Sequence, residues 1–206
     1  MSERAAAKME GIANTALAFF VWGILPVYWK GLQSVPALEI LAHRILWSFI
    51  LTLIILALTG KLSAFAYLKN ARTRKSLFFT GGLIGLNWLA YVYAVNSGQI
   101  VQASLGYYIN PILSVMLGIV ILRERLNVVQ IVAFVLACSG VLFLTAGHGR
   151  FPWIAVLLAV AFALYGLLKK TSGVDPMSGL MVETMLLLPL AIGVIAYQAA
   201  VGRGTF

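Results

Sequence analysis

Glu39, His43 and Arg44 place three ionisable side chains within six residues of a strongly apolar stretch. Glu39 and His43 are four residues apart and share one face of a predicted helix, and Arg44 points about 100° away from it. A histidine can exchange a proton near neutral pH, and a guanidinium can hold an anion. We therefore predict a solute or proton site at His43 and Arg44. The structural alternative is an ion pair that locks helices together.

Two such ion pairs are open at this point, one between Glu39 and Arg44 and one between His43 and Glu183. Glu183 lies in the last apolar segment, and the topology derived below places it near the opposite membrane face from His43. Ionisable groups within a membrane span usually face a protein interior or a water-filled cavity. Glu183 is predicted to act as a gate or a proton relay. The alternative role is that of a structural partner for an arginine or a helix end.

A polar stripe is predicted along the segment ASLGYYINP (103–111), which continues to Ser114. Ser104, Tyr107, Asn110 and Ser114 share one helix face at this spacing. Pro111 cannot donate a backbone hydrogen bond, so the carbonyl of Tyr107 is available to a ligand or a neighbour. The stripe is the leading candidate for a substrate surface. Hydrogen bonding between helices is the alternative.

Further candidates for a solute cavity are polar and aromatic side chains from three other segments. Aromatic walls with a few polar contacts suit amphipathic or aromatic solutes. These candidates are Asn87, Trp88 and Tyr91 in one segment, Trp22 in the first segment, and Tyr165 at the position that echoes Trp22.

Apolar helices must position all of these side chains, because 62% of the residues are hydrophobic and only 10% are charged. A soluble domain has roughly a quarter charged residues. The segments lack the alternation of barrel strands, so an all-α membrane protein is predicted. Windows long enough to cross a bilayer, roughly 20 residues each, give seven transmembrane helices, at 11–29, 37–59, 77–97, 103–122, 127–146, 151–168 and 177–201.

The net charge of +9 does not indicate nucleic acid, because the cations are concentrated on one side of the predicted topology. With a cytoplasmic N-terminus, only Lys30, Arg150 and Arg203 lie outside, and Arg44 lies within a span. The positive-inside rule therefore predicts a multi-pass protein of the bacterial inner membrane with its N-terminus in the cytoplasm. The cytoplasmic cations are Arg4, Lys8, Lys61, Lys69, Arg72, Arg74, Lys75, Arg123, Arg125, Lys169 and Lys170.

A weak internal repeat divides the chain. AFFVWGIL (18–25) is echoed by AFALYGLL (161–168), and VPALEILAHRILW (35–47) by DPMSGLMVETMLL (175–187). A repeat of five helices returns with inverted topology, which is typical of secondary transporters. We predict a first five-helix repeat at 11–146 and a partial second repeat of two helices at 151–201. The alternatives are a non-transporting fragment, a frameshifted product, or one part of a split gene whose missing helices a second polypeptide supplies.

Catalysis and cofactor binding find no support in the sequence. Neither an H-E-x-x-H motif nor a nucleophile elbow occurs, and no phosphate-binding loop indicates ATP as the energy source. Cys138 is the only cysteine, so no disulfide or cysteine metal site is expected within the chain. We predict a protein that is not an enzyme and needs no cofactor. Its expected partners are a small-molecule solute and the lipid bilayer, with a homodimer left open.

The segments EILAHRILWS (39–48), GLNWLAYVYAVN (85–96), QASLGYYINPILSVMLG (102–118), RERL (123–126) and MVETMLLLP (181–189) together resemble the EamA family of the drug/metabolite transporter superfamily. The resemblance covers about 11–200. It implies two inverted five-helix repeats that export small metabolites or drugs through a central cavity by alternating access. It also implies that Glu124 and Arg125 cap helix ends on the cytoplasmic side. This chain departs from the family pattern by ending three helices earlier.

Overall fold

The computed structural model describes residues 3–32, 34–148, 151–202 and 204, and these residues form seven α-helices, one 3-10 helix and no β-strand. The all-α prediction is confirmed for this part of the chain. The α-helices are α1 (Glu3–Lys30), α2 (Ala37–Leu58), α3 (Ala71–Asn96), α4 (Ile100–Val120), α5 (Val128–His148), α6 (Trp153–Ser172) and α7 (Pro176–Ala200), and the 3-10 helix is Leu62–Leu68.

Six of these helices, α2 to α7, are long and apolar enough to cross a membrane. They agree with the predicted spans two to seven to within a few residues, except that α3 begins six residues early. Asn70 causes this early start because its side chain accepts hydrogen bonds from the backbone N–H groups of Arg72 and Thr73. The first predicted span lies within α1, whose apolar stretch at Met9–Leu25 is shorter. A seventh transmembrane helix stays a prediction.

Close helix contacts depend on glycines that face a neighbouring backbone. α2 packs mainly on α7, α4 packs mainly on α6, and α3 contacts both α6 and α7. Gly81 of α3 lies against the backbone of Glu183, and Gly106 of α4 lies against Ala155 and Leu158 of α6. Small residues let helices approach closely where lipid provides no hydrophobic drive for association.

A carboxylate determines where α7 begins. Asp175 accepts hydrogen bonds from the backbone N–H and the hydroxyl of Ser178, both at 2.9 Å. The backbone N–H of Ser178 lowers the pKa of Asp175 below its ordinary value, and the hydroxyl of Ser178 lowers it further. The group is therefore ionised at neutral pH, which suits the positive end of a helix. Pro176 follows at the first helical position, where no backbone N–H is needed.

The outward faces are apolar, as lipid contact requires. In α5 no residue of its apolar window is buried, and Leu142 and Phe143 expose 68% and 81% of their surface. Such an area of exposed apolar surface is suited to hydrocarbon rather than to water.

The α4–α6 contact is tested by adding one methyl group. We expect Gly106→Ala to destabilise the bundle by about 1–3 kcal/mol, because the added Cβ would lie 2.9 Å from the Cβ of Leu158 and 3.1 Å from the oxygen of Ala155. Gly140→Ala in α5 is the matched control, since nothing lies within 4 Å of the Cβ position there. Thermal unfolding in detergent measures both variants. Equal melting temperatures would contradict the close contact.

Candidate functional site

Four predicted site residues meet where α2, α3 and α4 come together, and we call them the Arg44 cluster: Arg44, Trp88, Tyr91 and Tyr107. The guanidinium carbon of Arg44 lies 4.1 Å from the centre of the Trp88 ring. The Tyr91 and Tyr107 rings meet edge to face, with their centres 5.7 Å apart. Both tyrosines lie within electrostatic range of Arg44. One guanidinium, an indole face and two phenols therefore share a small volume.

The Arg44 cluster is open on one side. Arg44, Trp88 and Tyr91 are half-buried, whereas Tyr107 exposes 40% of its surface. Arg44 lies seven residues after the start of α2, which corresponds to about 10 Å of helix. The charge is thus located well inside the apolar part of α2. Its stacking on Trp88 holds the guanidinium plane by a cation–π contact.

A second group of polar side chains, the Glu183 cluster, joins α3, α6 and α7: Thr80, Tyr165, Lys169 and Glu183. Glu183 has no exposed surface. Its Oε1 accepts hydrogen bonds from the Thr80 hydroxyl at 2.6 Å and from Lys169 Nζ at 3.2 Å. Its Oε2 accepts one from the Tyr165 hydroxyl at 3.3 Å. The buried carboxylate therefore has donors on both oxygens and a paired cation.

The two clusters lie far apart along α3. Thr80 belongs to the Glu183 cluster and Tyr91 to the Arg44 cluster, and the 11 residues between them correspond to about 16 Å of helix. Each cluster is near a different end of the bundle, because α3 and α7 run in opposite directions to α2, α4 and α6 through the packed interior. The prediction that Glu183 lies near the opposite face from His43 agrees with this placement.

The remaining predicted residues have separate environments. Asn87 is buried and donates a hydrogen bond from Nδ2 to the backbone oxygen of Leu158 in α6, at 2.9 Å. This bond matches the alternative of hydrogen bonding between helices. His43 is half-buried in α2. The side chain of Trp22 lies outside the described residues, although its backbone belongs to α1.

The predicted polar stripe of α4 is divided in the structure. Tyr107 contacts α3, whereas Ser104 lines a cleft of about 380 Å³ between α4 and α5 together with Tyr108 and Phe143. Asn110 accepts a hydrogen bond from the Ser114 hydroxyl at 3.3 Å within the helix. The helix continues through Pro111. Of the stripe, only Tyr107 is part of the Arg44 cluster.

A further cleft lies between α2, α3 and α7, with a volume of about 250 Å³. Its lining is entirely apolar and includes Leu41, Ile45, Leu89 and Leu187. The cleft carries no group that could orient a polar solute, so the Arg44 cluster is the better candidate for recognition. Among the described residues, no three His, Cys, Asp or Glu side chains are grouped in a way that could hold a metal ion.

Sequence reasoning missed two members of the Glu183 cluster, Thr80 and Lys169. Lys169 was assigned only a topological role, yet its side chain is 13% exposed and pairs with Glu183. The adjacent Lys170 is exposed and pairs with Glu124 in the α4–α5 connection. The available signal was the helical hairpin of α6 and α7, which carries a cation and an anion on either side of one short turn.

The predicted capping role of Glu124 takes a backbone form. The backbone N–H of Glu124 donates to the oxygen of Gly118 at 3.1 Å, near the end of α4. Its side chain reaches Lys170 instead, and so connects the α4–α5 segment to α6.

Comparison with known proteins identifies relatives over most of the chain. The family profile described as "EamA-like transporter family" matches residues 9–146. The chain is 43% identical to "Uncharacterized transporter YojE" of Bacillus subtilis (strain 168), over 93% of this chain and 66% of YojE. It is 41% identical to "Protein RarD" of Escherichia coli (strain K12), over 88% of this chain and 62% of RarD.

A further relative is "Protein RarD" of Streptomyces exfoliatus, which is 40% identical over 92% of this chain and 60% of its own length. The chain thus spans about three fifths to two thirds of the length of these relatives. These matches give no support to the alternative of a non-transporting fragment. No solved structure matches the chain.

The two lysines at the end of α6 provide a matched test of the Glu183 cluster. We expect Lys169→Met to destabilise the bundle by about 3–5 kcal/mol, because it leaves a buried carboxylate without its cation. Lys170→Met removes an exposed pair, so we expect a change of about 0–1 kcal/mol. Thermal unfolding in detergent measures both. Adding Glu183→Gln to Lys169→Met should recover part of the loss, and a double variant as unstable as the sum of both single variants would contradict the pairing.

Proposed function

The chain belongs to the EamA-like transporter family, and from this premise we propose that it is a secondary transporter that binds a small organic solute at the Arg44 cluster. The family establishes a multi-pass membrane transporter with no catalytic role indicated. The observation that carries the site is the convergence of Arg44, Trp88, Tyr91 and Tyr107 from three helices. A charged group and aromatic walls in one open recess are the elements that orient a small amphipathic molecule.

We propose export by alternating access as the mode of transport. The positive-inside distribution of lysine and arginine supports a cytoplasmic N-terminus in the bacterial inner membrane. In that orientation the Arg44 cluster lies in the outer half of the bundle and the Glu183 cluster in the inner half. A closed inner end and an open outer recess correspond to an outward-facing state.

The inverted repeat is part of the same proposal. We assign 11–146 to a first repeat and 151–201 to two helices of a second. Support comes from the extensive packing of α2 on α7, which are the second helices of the two repeats and carry the echoed stretches at 35–47 and 175–187. The match of the family profile also ends at residue 146.

In this mechanism the Glu183 cluster acts as the inner gate. Glu183 connects α3, α6 and α7 through Thr80, Tyr165 and Lys169. Separating these helices would require the carboxylate to exchange its protein donors for water or for a proton. Opening of the inner end and hydration of Glu183 are therefore the same event in this proposal.

Neighbouring tyrosines in α4 allow the site to be tested. We expect Tyr107→Leu to abolish most solute movement, because it removes a wall of the Arg44 cluster, whereas Tyr108→Leu should retain it, because Tyr108 lines the α4–α5 cleft. Bacterial cells that express either variant or the unaltered chain are compared by mass spectrometry of small molecules in the medium. An exporter enriches its solute outside the cells, and an importer depletes it.

Membrane protein levels must match among the three strains before the comparison is made. A medium that changes equally for Tyr107→Leu and the unaltered chain would contradict the site. A solute that is depleted rather than enriched would contradict export and leave the site in place.

A further inference from the structure

We infer that the solute recognised at the Arg44 cluster is an organic anion whose carboxylate is held by the Arg44 guanidinium and whose apolar part contacts the aromatic side chains. This inference rests on the proposed function, since it assigns a chemical class to the solute of that same site. It concerns the charge of the solute and not its direction of movement.

The first step is the placement of Arg44. A guanidinium within an apolar span is costly, and it is retained where it pairs or faces a cavity. Arg44 lies about 10 Å along α2 and is half-buried against α3 and α4, so it faces the bundle. Its guanidinium plane stacks on Trp88 at 4.1 Å, and stacking leaves the N–H groups at the edge of the plane directed sideways.

The second step is the geometry that these N–H groups require. A guanidinium presents paired donors that fit the two oxygens of a carboxylate, and such bidentate contacts are stronger than neutral hydrogen bonds. Stacking on Trp88 reduces the freedom that the guanidinium would lose on binding. Tyr91 and Tyr107, within electrostatic range of Arg44, contribute hydroxyl groups that can donate to the same oxygens.

The third step is the position of the acidic residues. Glu183 is bound by Lys169, Thr80 and Tyr165 and belongs to the cluster about 16 Å away along α3. Glu39 is buried near the start of α2, five residues and about 140° around the helix from Arg44. The side chains that the structure places beside the guanidinium are therefore aromatic. A recess of this composition favours a negatively charged organic molecule over a cation.

The test compares carboxylates with carboxamides of the same shape on the full chain in phosphatidylcholine nanodiscs. The probes are benzoate, cinnamate and hexanoate, each paired with its amide, and binding is measured by calorimetry at constant ionic strength. We expect at least one carboxylate to bind about tenfold or more tightly than its amide, which is the range of a charge-assisted hydrogen bond. We expect Arg44→Gln to remove that preference.

Arg72→Gln is the matched control, because Arg72 is exposed in the first turn of α3 and should leave the preference unchanged. Arg44→Lys retains the charge and serves where the glutamine variant does not fold. We expect the lysine variant to keep a reduced preference, because an ammonium lacks the paired donors.

The inference is overturned if no carboxylate binds more tightly than its amide, or if the preference survives in Arg44→Gln. If amides bind and Tyr107→Leu weakens them, the proposed site stands and only the charge assignment fails. If neither Arg44 nor Tyr107 variants change the binding of any probe, the proposed site fails as well. Repeating the titration with phosphatidylglycerol added to the nanodiscs identifies the occupant: loss of benzoate binding would indicate a lipid head group and overturn the assignment to a free solute.

Discussion

Glu183 and Lys169 place two opposite charges inside a helical bundle whose surroundings are largely apolar. Their ion pair, at 3.2 Å, fixes α6 against α7, and the Thr80 hydroxyl adds α3 to the same contact. An unpaired carboxylate at this depth would be strongly destabilising, so these helices have few alternative arrangements. Gly81 permits this contact, because a side chain there would press on the backbone of Glu183. The position of α3 follows, and with it the position of Trp88 and Tyr91.

The helices were predictable because lipid imposes a simple rule on their length and composition. Segments near 20 apolar residues appear in the structure as α2 to α7, with differences mainly at polar ends such as Asn70. The ends differ because a capping side chain acts on local backbone groups, which hydropathy does not measure. The 3-10 helix at Leu62–Leu68 was missed for the same reason, since a short amphipathic stretch between spans has no length requirement.

The site was predictable in its residue types and less so in its groupings. Arg44, Trp88, Tyr91 and Tyr107 were all candidates, but sequence could not show that they meet, because the meeting depends on how α2, α3 and α4 rotate against one another. Helical spacing assigned Ser104 to the same stripe as Tyr107, and packing of α5 on α4 separated them. Polar side chains on one helix face are thus divided among neighbours whenever two helices pack against that face.

An anionic solute would also simplify the energetics of export. In a membrane with a negative interior, each negative charge that moves outward releases about 2.3 kcal/mol per 100 mV. That free energy corresponds to a concentration ratio of about 50 at equilibrium. Arg44 neutralises the charge of a bound carboxylate, so the loaded site is close to neutral, whereas the empty site is positive. A positive empty site is drawn toward a negative interior, and the membrane potential would therefore act on the return of the empty transporter rather than on the loaded step.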